Sequence, residues 1–349
     1  MRLVRRLSLP DADDQALCLA TEGSPSFTFT ASTELGWLCK YDLRLRSRDQ
    51  RAWQHRVSED SEAASVCVHP KEPNRLYVSL GARVCEVDER KLNSENENAQ
   101  ASEWLSVVST SDEEVNQVVV HPSGEFLASA DDSGCVRVVR LKDKTTFKHL
   151  RRGHSNICSC VAFRPRQPWE VFSGGLDCLL LLWDFNRGKQ RLACRAEVAA
   201  GASESQLFNP PFVHALAVPT RRELANHVAA ARGDGKVAVY DIAKAKVNRT
   251  VCLSGEGASS GGHTASIGHI CFTNFNGEKH LLSGGNDGKV VLWNWMQSFA
   301  DPEPDPNESV LEWSHKHGQK INWTATTTTS SENILVADTS NCVSVYSTC

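Results

Sequence analysis

The sequence contains no long apolar segment. Its longest run of large apolar residues, Leu179 to Trp183, is five residues long, whereas a helix that crosses a bilayer needs about twenty. The first residues, MRLVRR, are basic, but no apolar run of signal-peptide length follows them. We therefore expect no membrane partner and a location in the cytoplasm, the nucleus or both.

Motifs of common enzyme and cofactor sites are also missing. The sequence has no carboxylate pair at helical spacing, no His-Glu zinc pattern and no nucleotide-binding fingerprint. Gly284 to Lys289 resembles a phosphate loop, but a strand is predicted after it, whereas a phosphate loop leads into a helix. We therefore predict no cofactor and no enzymatic activity.

One cysteine pair suggests a metal site at first sight. Strand alternation would place Cys158 and Cys160 on one strand face, where both could reach an ion. No second Cys or His pair stands nearby at the spacing of metal ligands, however. We therefore predict that the protein binds no metal there.

The sequence also lacks an excess of positive charge. Its formal net charge is -4, and no strong basic stripe is visible, so nucleic acid is not expected as a partner. The 13 cysteines are odd in number, which leaves at least one unpaired. Several of them, such as Cys39 and Cys135, fall in predicted strands, where a reduced thiol packs as a small apolar group. This pattern favours a reducing compartment.

What the sequence does contain is a repeat. Residues 281–294, LLSGGNDGKVVLWN, predict a strand, a tight turn and a second strand that ends in an aromatic residue. Altered copies occur six more times, at intervals of roughly fifty residues. Because a two-stranded hairpin is marginal alone, seven copies predict seven sheets packed around a ring. The copies end at Tyr41, Val87, Val139, Trp183, Tyr240, Trp293 and Tyr346.

The chain ends have a place in such a ring. Residues 2–9, RLVRRLSL, alternate as a strand does but have no local partner. We expect them to pair with the last sheet as its outer strand, which would close the ring. The repeats then use the whole chain, residues 1–349, as one domain, and we expect it to be a monomer.

Two repeats are complete enough to identify a resemblance. In the fourth, Gly153-His154 precedes Trp183-Asp184 by about thirty residues, and in the sixth Gly262-His263 precedes Trp293-Asn294 in the same way. This pattern, with Ser and Asp at intervening hairpin positions, resembles the WD-repeat family. His317 to Tyr346 is a third, altered copy. The resemblance implies an all-β, seven-bladed WD-repeat β-propeller that acts as a protein-interaction module.

The same positions allow two interpretations. Ser, His and Asp together form an activated nucleophile in many hydrolases, but a nucleophile duplicated in two repeats favours an architectural role. In WD-repeat proteins the matching residues form a buried hydrogen-bonded chain from a Trp indole through Ser and His to Asp. The resemblance therefore implies two structural networks, formed by His154, Ser173, Asp177 and Trp183 and by His263, Ser283, Asp287 and Trp293.

A propeller also gathers loops at one face around its central channel. By position we expect this face to carry both signs of charge, which would suit a peptide or protein. The predicted partner-binding residues of the channel face are Glu113, Glu114, Asn156, Ile157, Arg232, Ser266, Asn286, Gln319 and Lys320.

A second surface is predicted at the ends of the first two repeats. WD-repeat proteins that serve as substrate receptors of cullin-four RING ubiquitin ligases often carry Trp-Asp-x-Arg at a sheet end, where the Arg contacts the propeller adaptor of the ligase. Tyr41-Asp42-Leu43-Arg44 and Val87-Asp88-Glu89-Arg90 resemble that motif without its Trp. After Trp183-Asp184 the arginine, Arg187, comes one position too late.

The resemblance thus implies an adaptor-binding site at Asp42, Arg44, Asp88 and Arg90. One alternative is a general WD-repeat scaffold or peptide-binding propeller without a ligase role. In that case the two arginines would pair only with local acids, an interaction worth little at a surface.

Overall fold

The computed structural model describes residues 1–22, 26–45, 50–92, 104–196, 209–253, 262–300, 310–328 and 331–347. These residues form seven antiparallel sheets of four strands each. Two short helices also occur, α1 (Glu89–Leu92) and α2 (Trp295–Ala300). No helix within the described ranges combines the length and the apolar character that crossing a bilayer requires.

Each sheet, or blade, is built from strands that follow one another in the chain. Blade 1 consists of β2 (Ala16–Thr21), β3 (Thr28–Thr33), β4 (Trp37–Asp42) and β5 (Arg51–Arg56). Blade 2 consists of β6 (Ala63–Val68), β7 (Arg75–Leu80), β8 (Arg83–Asp88) and β9 (Leu105–Thr110). Blade 3 consists of β10 (Val115–Val120), β11 (Phe126–Asp131), β12 (Val136–Arg140) and β13 (Thr145–Leu150).

The remaining blades repeat this order. Blade 4 consists of β14 (Cys158–Phe163), β15 (Glu170–Gly175), β16 (Leu179–Asp184) and β17 (Lys189–Arg195). Blade 5 consists of β18 (Val213–Ala217), β19 (His227–Arg232), β20 (Val237–Ala243) and β21 (Lys246–Leu253). Blade 6 consists of β22 (Ile267–Phe272), β23 (Leu281–Gly285), β24 (Lys289–Trp293) and β25 (Leu311–Lys316). Blade 7 combines β26 (Ile321–Thr328), β27 (Glu332–Asp338) and β28 (Cys342–Ser347) with the N-terminal strand β1 (Arg2–Ser8).

The blades form a closed ring. The first strand of each blade contacts the first strand of the next, and β26 of blade 7 contacts β2 of blade 1. The predicted seven-bladed β-propeller is therefore confirmed. β1 pairs antiparallel with β28, with Arg2 opposite Ser347 and Ser8 opposite Cys342, and lies at the outer edge of blade 7.

The core lies between neighbouring blades, because each blade is covered on both sides. In β16, Leu181 and Trp183 pack toward blade 3, whereas Leu180 and Leu182 pack toward blade 5. A strand buried on both faces has no polar side. The uninterrupted apolar sequence of β16 follows from this position.

The first strand of every blade contains a β-bulge or a similar irregularity near its start. An extra residue shifts the alternation, so that residues two apart lie on opposite faces. In β14, Cys158 packs toward blade 3 and Cys160 toward blade 5, with the bulge between them. The prediction that both thiols share one strand face is therefore wrong.

Strand direction divides the propeller into two faces. The top face carries the connections between blades and the turns between second and third strands, and it includes Asn286 and Lys320. The bottom face carries the turns between first and second strands and between third and fourth strands, and it includes Arg44 and Arg90. The two predicted binding surfaces therefore lie on opposite faces.

Candidate interaction surfaces and polar networks

The blade 4 network is a continuous chain of hydrogen bonds. The Trp183 indole Nε1 donates to Ser173 Oγ at 2.9 Å, and Ser173 Oγ lies 2.8 Å from His154 Nε2. His154 Nδ1 lies 2.9 Å from Asp177 Oδ1. Since Ser173 Oγ has no exposed surface, a hydrolase substrate could not reach it. Each buried polar group has a partner, which is what makes such a network rigid.

Blade 6 repeats this geometry. The distances are 2.8 Å from Trp293 Nε1 to Ser283 Oγ, 2.8 Å from Ser283 Oγ to His263 Nε2 and 3.0 Å from His263 Nδ1 to Asp287 Oδ1. A glycine next to the imidazole is essential, because a Cβ on Gly285 would lie 2.5 Å from His263 Nδ1.

Blade 7 contains a variant of the same network. His317 Nδ1 lies 2.6 Å from the Tyr346 hydroxyl, and His317 Nε2 bonds the carboxylate of Asp338. The imidazole is therefore turned over relative to blades 4 and 6. Asp338 pairs with Ile321 in blade 7. Gly175 occupies the equivalent position in blade 4, where it pairs with Cys158.

Blade 5 uses an arginine at that sheet position. Arg232 lies opposite Val213, and its Nη2 and Nε contact Asp234 at 2.5 and 3.0 Å. Arg232 is buried and does not line the channel. Its prediction as a channel-face residue is wrong, because the guanidinium is held inside the blade as part of the local polar network.

A cavity of about 360 Å³ at the top face marks the central channel. All seven blades line it, each through a residue at or beside the bulge of its first strand. These residues are Leu17, Ala64, Asn116, Ser159, His214, Gly268 and Asn322. Sequence reasoning predicted none of these seven for the channel face, because alternation alone does not reveal where a bulge turns a side chain toward the axis.

Three predicted residues of the channel face, Ser266, Asn286 and Lys320, do line this cavity. Four other predicted residues are exposed on the connections of the top face but are not among the lining residues: Glu113, Glu114, Asn156 and Gln319. The partly buried Ile157 is not a lining residue either. The lining of the channel mouth is thus mostly uncharged and mixes polar with apolar residues.

Two lining residues, Glu62 and Lys320, bring opposite charges to the cavity. Burial, together with the nearby carboxylates of Glu114, Glu34 and Asp132, raises the pKa of Glu62. The cavity therefore offers hydrogen-bonding side chains together with one charge of each sign, which matches peptide chemistry.

On the bottom face, the two Asp-x-Arg sequences adopt the same geometry. Arg44 Nε and Nη2 contact Asp42 at 2.9 and 2.7 Å, and Arg90 Nε and Nη2 contact Asp88 at 2.8 and 2.8 Å. The arginine side chains are 61% and 59% exposed. Hydrogen bonds from these arginines lower the pKa values of Asp42 and Asp88, so both carboxylates stay ionised. At Arg187 the contact with Asp184 is looser, at 3.8 Å.

A buried lysine joins the two Asp-x-Arg turns. Lys40 Nζ lies 2.7 Å from Glu89, the residue before Arg90, and also bonds Glu22. Burial alone would lower the pKa of Lys40, but the two carboxylates outweigh that effect and raise it. The ion pairs hold β4 of blade 1 against the start of α1 and therefore fix the spacing between Arg44 and Arg90.

The turn that presents Arg44 is also held from within. Gln50 is fully buried, and its Nε2 donates to the carbonyls of Leu43 and Leu45, each at 2.8 Å. The Arg44 guanidinium lies 5.2 Å from the centre of the Phe27 ring, a cation–π contact. Phe27 and Leu45 are 37% and 39% exposed. An oriented arginine thus stands beside two exposed apolar side chains.

Among the described residues, no group of three His, Cys, Asp or Glu side chains is arranged to hold a metal ion. The cysteines within those ranges are free thiols. Burial raises the pKa of Cys160 to about 12, so this thiol stays protonated at neutral pH and lacks the thiolate that coordinates metals.

Comparisons with known proteins agree with this architecture. The family model described as WD domain, G-beta repeat (WD40) matches residues 103–139, 145–184 and 257–294, and each match ends at the third strand of blade 3, 4 or 6. WD repeat-containing protein 53 homolog of Dictyostelium discoideum is 25% identical over 254 residues, 66% of this chain and 66% of that protein. THO complex subunit 6 of Homo sapiens is 34% identical over 77 residues, 22% of each chain. The alignments span about two thirds of the first relative's length and about a fifth of the second's.

The names of these relatives describe a repeat protein and a complex subunit, and neither describes an enzyme. WD40 propellers generally serve as non-catalytic modules for protein interaction. The chain is therefore a seven-bladed β-propeller, and three of its repeats match the WD40 family model.

Proposed function

We propose that this protein is a substrate receptor that docks on the propeller adaptor of a cullin-four RING ubiquitin ligase through Asp42, Arg44, Asp88 and Arg90. The observation that carries this proposal is the repetition of one geometry. Two adjacent blades present an exposed arginine, held by the aspartate two residues earlier, at the same end of the third strand.

The arrangement is suited to binding because the arginines are oriented in advance. In each pair the carboxylate holds Nε and Nη2, while Nη1 forms no hydrogen bond with a described residue. Nη1 can therefore donate to a carbonyl or carboxylate of a partner. Preorganised side chains lose less conformational entropy on binding, and arginines beside apolar groups are frequent centres of binding energy.

The opposite positions of the two surfaces support the receptor model. The arginines lie on the bottom face, whereas the cavity with Asn286 and Lys320 opens at the top face. A substrate held at the top face would leave the bottom face free for the adaptor. The receptor would contribute proximity between substrate and ligase, without chemistry of its own.

Affinity purification from cells tests this proposal. We expect the wild type to recover the adaptor, and Arg44→Ala combined with Arg90→Ala to lose most of it. Arg187→Ala is the matched control, because Arg187 is also exposed on the bottom face but is held loosely. Equal recovery by the double variant would refute the docking site. Absence of the adaptor from every sample would refute the ligase role.

A general scaffold is the second candidate function. It is favoured by the match to THO complex subunit 6, whose name places that relative in a multiprotein complex. In this case the purification would recover other proteins, and their recovery would depend on the top face. Lys320→Glu, which changes a cavity charge, would reduce it, while the double arginine variant would not.

A further inference from the structure

The seam where the N-terminal strand meets blade 1 has a distinctive chemistry. The carbonyl of Ser8 accepts hydrogen bonds from Arg51 Nη2 at 2.7 Å and from the Tyr41 hydroxyl at 2.9 Å. These bonds connect the outer strand of blade 7 to β4 and β5 of blade 1. The outer strands β1 and β5 therefore border one groove at the rim of the propeller, which we call the seam groove.

Four arginines face the seam groove. On β1, Arg2 pairs with Ser347 and Arg5 with Val345 of β28. Val345 packs toward blade 1, so both arginines lie on the face of blade 7 that is turned to blade 1. On β5, Arg51 pairs with Tyr41 and Arg56 with Trp37 of β4. Tyr41 and Trp37 pack into the core between blades 7 and 1 from the blade 1 side. Cross-strand neighbours share a sheet face, so the four side chains come from the two walls of the groove.

No described carboxylate lies within ion-pair distance of any of the four. The arginines that form ion pairs among the described residues are other ones. The four arginines of the groove lack an acidic partner there even though the whole protein has a net charge of -4. Arg2, Arg5 and Arg56 are exposed, and Arg56 Nε donates to the Leu35 carbonyl. Arg51 donates through Nη1 to Gln54 and through Nη2 to Ser8, while its Nε is buried without a hydrogen-bond partner. A folded protein usually disperses such a concentration of one charge or pairs it.

We propose that the seam groove binds an acidic segment of a partner protein in extended conformation. From Arg51 to Arg56, β5 covers roughly 17 Å, the length of about five extended residues. Guanidinium groups bind carboxylates and phosphates through paired hydrogen bonds. A short run of Asp, Glu or phosphorylated Ser residues would supply the negative charges that the groove lacks.

A peptide fits the groove better than a nucleic acid does. Single-stranded nucleic acids bind where basic grooves also offer aromatic side chains for stacking. The exposed large apolar residues on β1, Leu3 and Val4, are aliphatic, and Leu3 pairs with Tyr346 on the sheet face turned away from the groove. A long polyanion would also meet the net negative charge of the protein.

A binding titration of the full-length protein by fluorescence anisotropy tests the proposal. The probes are a labelled peptide with a central run of about five glutamates, the same peptide with phosphoserines, a glutamine version and an oligonucleotide of similar length. We expect both acidic peptides to bind, and Arg5→Gln combined with Arg56→Gln to weaken them by about tenfold or more. The matched control is Arg83→Gln combined with Arg166→Gln, two exposed arginines away from the seam.

Each outcome decides the question. Loss of binding in the seam variant but not in the control supports the proposal, and so does an affinity that falls as salt rises. Equal binding by the two variants, or no binding of either acidic peptide by the wild type, would overturn it. An oligonucleotide that binds more tightly than the peptides would overturn the choice of a peptide. Circular dichroism of both variants establishes that they are folded.

Discussion

Blades 3 and 4 both match the WD40 model, yet only blade 4 completes its polar network. Ser129 and Ser173 occupy the same sheet position, since Ser129 pairs with Val118 and Ser173 with Val161 in the first strands. Ser173 Oγ bonds His154 and Trp183, whereas Ser129 Oγ is buried without a described partner.

The difference arises from the residues around the two serines. Blade 4 has His154 four residues before its first strand, and blade 3 has Ser111 there. Gly175 leaves room for the imidazole, because a Cβ there would lie 2.7 Å from His154 Nδ1. Asp131 holds the corresponding position in blade 3 and instead binds Ser133, leaving its own Oδ2 without a described partner.

The comparison shows that the network depends on several residues together. A buried serine stabilises a blade only when a histidine and an aromatic donor meet it, and in blade 3 Val139 stands in the place of Trp183. The repeat motif therefore indicates the fold of both blades, but only one of the two blades forms the polar network. Blades 5 and 7 form other networks, built around Arg232 and His317.

The largest effect is expected from removing the buried cation of blade 5. Arg232→Leu would leave the Asp234 carboxylate buried without its main counter-charge, and we expect unfolding to become easier by about 3 kcal/mol. Chemical denaturation measures this change. Arg44→Leu breaks a similar ion pair at the surface and is the control, with little change in the midpoint expected. Equal midpoints for the two variants would show that Arg232 is not a network residue.

The next largest effect on stability is expected from replacing one of the two serines, Ser173, and Ser129 is its direct comparison. Ser173→Ala would leave the Trp183 indole and His154 Nε2 without their partner, at a cost of about 2–3 kcal/mol in unfolding free energy. Ser129→Ala removes a hydroxyl that has no described partner, so we expect a change of less than about 0.5 kcal/mol, or a slight gain. Similar losses in both variants would contradict the contrast between the blades. Ser283→Ala in blade 6 should repeat the result of Ser173→Ala.

A smaller effect is expected from pH. Burial would raise the pKa of Asp287, but the hydrogen bond and charge of His263, with two backbone amides, lower it below its ordinary value of 3.8. A carboxyl whose folded pKa is lowered contributes stability above the unfolded value and loses it as pH falls through the folded value. Unfolding free energy should therefore decrease below about pH 4.

Asp287→Asn tests this origin of the pH dependence. The variant is expected to be less stable than the wild type near neutral pH, and the difference between the two should shrink as the solution becomes acidic. Denaturation curves between about pH 3 and pH 7 measure it. A constant difference over that range would show that this carboxyl contributes nothing to the acid sensitivity.

Much of the architecture could be predicted from the sequence because hairpins leave strong local signals. The third strands of the seven blades end at or within three residues of the positions that the repeat gives, and the blade 4 and blade 6 histidines are each hydrogen-bonded to their serine and aspartate. The channel-lining residues of the first strands could not be predicted, because one inserted residue, as at Ser159, reverses the alternation. Arg232 was misplaced for a different reason: an arginine in a hairpin suggests an exposed side chain, but this sheet position is buried in every blade, and Asp234 supplies the counter-charge.

The arginine pair was visible in the sequence, but its rigidity was not. Asp42 and Asp88 orient the two guanidinium groups, but the turns that carry them are held by Gln50 and by Lys40. Tertiary contacts of this kind leave no local pattern.

The central claim is that exposed arginines of two adjacent blades form the docking surface, while the buried networks only stabilise the blades. Calorimetric titration with the purified ligase adaptor tests this claim most directly. The wild type and Ser129→Ala should bind equally, each single variant Arg44→Ala and Arg90→Ala should bind about tenfold more weakly, and the double variant more weakly still. Binding of the double variant at wild-type affinity, or no binding by the folded wild type, would contradict it.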